Sequence, residues 1–127
     1  MTVVGLIFVG VAVLLHGYIF VMESLRWTHP RTRATFGISA AQAEATREMA
    51  FNQGFYNLFL AIVAAVGMGF TMFGDAGVGL ALVLAGAGSM VAAGVVLLAS
   101  SPAKARPALI QLVPPLIGCA ALVLAYL

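Results

Sequence analysis

Val78–Ser100 reads VGLALVLAGAGSMVAAGVVLLAS and contains no charged side chain. A run this long and apolar suits a helix crossing the ~30 Å hydrocarbon core of a bilayer. Inside it, Ala81, Ala85, Ser89 and Ala93 recur every four residues, with Gly86, Gly88 and Gly94 beside them. Such a ladder predicts a face for close helix–helix packing, holding the helices together or joining copies into a homo-oligomer. The same apolar character extends outward over the chain. Of its 127 residues, 63% are hydrophobic and 8% are charged. Soluble domains carry about 25% charged residues, so an integral membrane protein with the lipid bilayer as its main partner is expected.

Before this run, Gly74-Asp75-Ala76-Gly77 reads as a tight turn. Ahead of the turn lies a helix expected over Ala40–Phe73. It starts at a capping box of Ser39 and Gln42, has Glu44 in its first turns, and enters the membrane near Met49. The first helix is expected over Thr2–Trp27. Its start lacks the positive flank of a signal peptide, so it reads as retained. Thr28–Ile38 is a polar connection broken by Pro30 and Gly37, with His29 solvated in it. After Ser100, the connection Ser101–Pro107 leads to a last helix over Ala108–Leu127. There Pro114 and Pro115 remove two amide donors, which predicts a kink or local opening beside Gln111. The expectation is a single all-α domain, an antiparallel up-down four-helix bundle in the membrane.

All six basic residues, Arg26, Arg31, Arg33, Arg47, Lys104 and Arg106, fall in or beside connections 1–2 and 3–4. The turn between helices 2 and 3 carries only Asp75. The positive-inside rule then predicts a multi-pass protein of the inner (plasma) membrane, with both basic connections cytoplasmic and both termini extracytoplasmic.

Glu48–Leu60, EMAFNQGFYNLFL, brings polar groups into helix 2. At 3.6 residues per turn, Glu44, Glu48, Asn52 and Tyr56 form one row and Gln53 and Asn57 a second. His16, Phe20, Glu23 and Trp27 share a stripe on helix 1, with His16 about 16 Å from Trp27 along the axis. Gln111 enters from helix 4. Intramembrane ionisable residues default to a functional hypothesis, whereas amides serve equally well as structural hydrogen-bond partners. The predicted ligand-binding set is His16, Glu23, Glu48, Asn52, Gln53, Tyr56, Asn57 and Gln111, around a polar cavity open to the cytoplasm. No nucleophile spacing, phosphate-cradling glycine loop or metal motif is present, so no catalytic residue, metal or cofactor is assigned. Cys119 is alone and reads as a small core residue. The net charge of +2 includes no basic run, which argues against nucleic acid.

The string Asn52-Gln53-Gly54-Phe55-Tyr56-Asn57 resembles the hallmark of a family of small bacterial four-helix membrane proteins, domain of unknown function thirteen-oh-four. His16, Glu23, Trp27, Pro30-Arg31, Phe36-Gly37, Gln111 and Pro114 are similar too. The family's Gly-x-Pro-Ala after the glutamine stands here as Leu112-Val113-Pro114-Pro115. The resemblance implies a four-helix inner-membrane protein and brings no settled activity. Binding or transport of a small amphipathic molecule ranks first among the functions these residues suggest. An accessory subunit of a membrane complex and an intramembrane enzyme acting on a lipid-like substrate are the alternatives.

Overall fold

The computed structural model describes residues 1–127, and every regular element in it is helical. In order these are α1 (Thr2–Phe20) with a π-helical turn at Val21–Leu25, α2 (Pro30–Phe36), α3 (Ala40–Ala45), α4 (Arg47–Phe73), α5 (Ala76–Ser100), a 3-10 turn at Pro102–Lys104, and α6 (Ala105–Tyr126). Four stretches are long and apolar enough to cross a membrane: Thr2–Leu25, Arg47–Phe73, Ala76–Ser100 and Pro102–Tyr126, with mean hydropathies of 2.4, 1.8, 2.3 and 2.2.

Several boundaries differ from the sequence expectation, each for a local reason. The first helix stops at Leu25 rather than Trp27, because its last turn widens and Arg26 leaves helical geometry at φ −134°. The helix expected to run unbroken from Ala40 divides at Thr46. Its hydroxyl donates to Gln42 O at 2.7 Å and accepts from Trp27 Nε1 at 3.1 Å. A hydroxyl serving these partners competes with the regular ladder. The expected capping box is present, with Gln42 N donating to Ser39 Oγ and Ser39 N to Gln42 Oε1. Asp75 shortens the expected turn by capping α5: its carboxylate accepts from Val78 N at 2.9 Å. Pro102 opens a 3-10 turn that feeds α6 from Ala105, three residues earlier than expected. His29 caps α2 while standing partly exposed, accepting from Arg31 N at 3.2 Å. Finally, α6 continues through Pro114 and Pro115, so the opening expected beside Gln111 is not a break in the helix. Pro115 is fully buried, held by the surrounding helices.

The packing face of α5 also differs. Ala81, Ala85, Ser89 and Ala93 are exposed on the protein surface. The buried row is Gly79, Val83, Gly86, Met90 and Gly94, beginning two residues earlier and about 200° round the helix. Glycine explains the choice. A Cβ on Gly86 would stand 2.7 Å from Ala64 N and 2.8 Å from Leu60 O, so α4 and α5 meet backbone to backbone there. α1 packs on α4 and α6, and α5 packs on the same two. Val9, Ala12, Ala61, Ala64, Val83, Ala87, Met90, Cys119 and Leu122 form a core to which all four long helices contribute. Cys119 is buried there as expected.

Candidate functional site

The polar residues gather where the end of α1 meets the start of α4. Gly54 makes the approach: a Cβ there would collide with the Ser24 side chain and lie 3.1 Å from Glu23 Cβ. This absence of a side chain lets the π turn settle against α4. Ser24 Oγ then donates to Phe51 O at 2.7 Å. Phe20 packs edge-on against Phe55, with ring centroids 5.0 Å apart. π turns re-aim side chains within a helix and recur at functional sites. Here the turn carries Glu23, which is 7% exposed, toward α4. Asn57 Nδ2 donates to Glu23 Oε2 at 2.8 Å and also lies 3.3 Å from Gln53 O. Glu23 is thus held by an amide rather than paired with Arg26 or Arg47.

Above Glu23 opens a cleft of about 520 Å³. Its polar wall comprises Glu23, Ser24, Thr28, Glu44, Arg47 and Glu48, and Leu25, Trp27 and Phe51 supply apolar surface. Trp27 is fixed on two sides, by its hydrogen bond to Thr46 and by an edge-to-face contact with Phe36 at 4.9 Å. The one ion pair of the chain joins Arg47 Nη1 to Glu44 Oε1 at 3.7 Å, both side chains well exposed. A second depression of similar volume lies between Leu6–Leu14 of α1 and Ala65–Met72 of α4. It is almost wholly hydrocarbon and offers nothing to orient a polar group.

Of the eight residues predicted from sequence, Glu23 and Glu48 line the cleft, and Asn57 holds Glu23 from behind. His16 is 2% exposed, its Nδ1 2.9 Å from Ala12 O, one turn beyond the apolar core. Asn52 and Gln53 are exposed on the outer side of α4, Asn52 donating to Glu48 O at 3.0 Å. Tyr56 is 66% exposed. Gln111 is half-buried on α6, a helix that packs on α1 and α5 but makes no substantial contact with α4. The polar row of helix 2 therefore does not converge as one wall. Ser24, Leu25, Trp27, Thr28, Glu44, Arg47 and Phe51 complete the cleft and were not in the predicted set. Gly54 is the signal that could have found Ser24 and its neighbours, since a glycine among amides in a long helix marks a close approach. No group of His, Cys, Asp and Glu side chains is arranged to hold a metal ion.

Fold and site together define an all-helical protein with four helices fit to cross a membrane and a polar cleft beside one helix end. The chain belongs to the family described as Protein of unknown function (DUF1304), which matches residues 10–123 and so spans every residue of the cleft. No curated protein and no solved structure matches the chain.

Proposed function

We propose that this is a multi-pass protein of the inner membrane that binds or transports a small amphipathic molecule through the cleft above Glu23. The observation that carries the reading is a carboxylate 7% exposed that nevertheless lines a cleft of about 520 Å³. Ligand sites of small molecules commonly occupy 300–1,000 Å³ and combine apolar walls with a few convergent polar groups. Within this reading Glu23 and Glu48 meet the ligand, Asn57 orients Glu23, and Trp27 and Phe51 take its apolar part. His16 and Gln111 lie deeper along any path toward the far side, and Asn52, Gln53 and Tyr56 form an outer polar margin.

The proposed topology is an antiparallel up-down bundle. In its support, Glu23 meets Asn57 while Gly10 lies beside Met68, Gly67 beside Val83 while Thr71 lies beside Gly79, and Gly5 beside Leu122 while Val9 lies beside Gly118. Neighbouring helices running in opposite directions produce such pairs. The basic residues of connections 1–2 and 3–4 would then share the cytoplasmic side with the cleft mouth. A second reading, an accessory subunit, draws on the exposed Asn52, Gln53 and Tyr56, which a protein partner would shield from lipid. The outward Ala81–Ala85–Ser89–Ala93 ladder of α5 is the surface proposed for self-association.

The test is a panel of small amphipaths added to purified protein, followed by proton-coupled uptake into vesicles for those that bind. A ligand at 100 times its Kd stabilises the folded state by about 2.7 kcal/mol. The expected result is such a stabilisation in the wild type and its loss in Glu23→Gln. A panel with no stabilisation and no uptake, alongside a stoichiometric membrane partner on mild purification, would favour the subunit instead.

A further inference from the structure

The geometry points to a cationic head group, an ammonium or guanidinium on an apolar body, as the ligand class of the cleft. This rests on the reading of the cleft as a ligand site and adds the sign of the charge it selects. Its titratable lining consists of Glu23, Glu44, Glu48 and Arg47. Arg47 is engaged by Glu44 at 3.7 Å, so that pair largely cancels and leaves Glu23 and Glu48 without a cation. Glu23 is further set apart by burial. Asn57 occupies its Oε2, while Oε1 accepts no hydrogen bond within the protein. A buried carboxylate with one free oxygen, at the inner side of a cleft with no free cation, favours a positive group and repels a negative one. Trp27 reinforces this choice, because the face of an indole attracts cations and its ring is held in place by Thr46 and Phe36. Leu25 and Phe51 extend the apolar surface beside it for the rest of the molecule. An anion of the same shape would face two carboxylates, and a neutral alcohol would gain at most one hydrogen bond to the free Glu23 oxygen, without the charge attraction.

The protein carries its own reporter, since Trp27 is the one tryptophan in the chain and lines the cleft. Protein reconstituted in phosphatidylcholine vesicles would be titrated with octyltrimethylammonium, octanesulfonate and octanol while Trp27 fluorescence is read. The expected result is a saturable change with the ammonium at a concentration at least tenfold below either of the others. Glu23→Gln should raise that concentration at least tenfold and leave octanol unchanged. Glu48→Gln, at an exposed position and so safe for folding, should raise it about threefold. Asp75→Asn, remote from the cleft and still able to cap α5, should change nothing. Equal saturation by all three probes would overturn the charge assignment while leaving the cleft a ligand site. Saturation by none would overturn both. An ammonium response that neither glutamate substitution alters would also overturn the assignment.

Discussion

Asn57 Nδ2 lies 2.8 Å from Glu23 Oε2, and this bond ties the end of the first helix to the second long one. Side-chain hydrogen bonds within membranes contribute roughly 0.6 kcal/mol on average and about 1.7 at most. A bond to a buried carboxylate belongs at the upper end, so Asn57→Ala should destabilise the protein by about 1.5 kcal/mol in detergent unfolding. Asn57→Asp should cost more, by setting a second carboxylate against the first. Wild-type stability in both variants would mean that the bond does not hold Glu23. Gly54 offers a companion test. A methyl there has to displace Ser24 and the backbone around Glu23, and overpacking of this kind costs about 1–3 kcal/mol. Gly17 has nothing within 4 Å of where its Cβ would stand, so Gly17→Ala should be neutral or stabilise by up to about 1 kcal/mol. Equal effects at the two glycines, measured in parallel, would remove the close-approach argument.

Among the elements, α5 shows what composition conveys and what it leaves open. Its length as a membrane-crossing run was legible, because Val78–Ser100 carries no charge and only two hydroxyls, Ser89 and Ser100, each of which bonds its own helix backbone. Its packing face was not. Alanine and glycine are both small, but only glycine permits the backbone contact seen at Gly86, and a four-residue ladder of alanines on the far side imitates the pattern. Gly86→Val should therefore lower stability by several kcal/mol or prevent folding, whereas Ala85→Val on the outer face should stay within about 0.5 kcal/mol of wild type. Thermal unfolding of the two variants checks this, and comparable losses would restore the alanine ladder as the internal face. The π turn at Val21–Leu25 was likewise hidden. Residue types do not encode one widened turn; it arises where Gly54 admits the chain and Ser24 finds Phe51 O. With strict 3.6-residue spacing, Glu23 falls on the His16 stripe, yet the structure turns it to Asn57. The capping box at Ser39 was read correctly because both of its bonds are local in sequence.

For the whole molecule, polar residues were legible as a set but their convergence was not, since that depends on which helices touch. α6 packs on α1 and α5, which leaves Gln111 apart from the polar face of α4. The charge distribution still yields a prediction at this scale. Cysteines placed at Ala34 and Ala103, in a Cys119→Ala background, should resist a membrane-impermeant thiol reagent applied to intact cells and react after permeabilisation. A cysteine at Gly77 should react without permeabilisation. Labelling of Ala34 and Gly77 from the same side would contradict the proposed topology. Whether the cleft above Glu23 holds a small molecule can be seen in an experimental structure of the protein extracted with its native lipids. The expected result is non-protein density between Trp27 and Phe51 within hydrogen-bonding distance of Glu23. A cleft closed by the protein's own side chains, with Glu23 touching only Asn57, would contradict it.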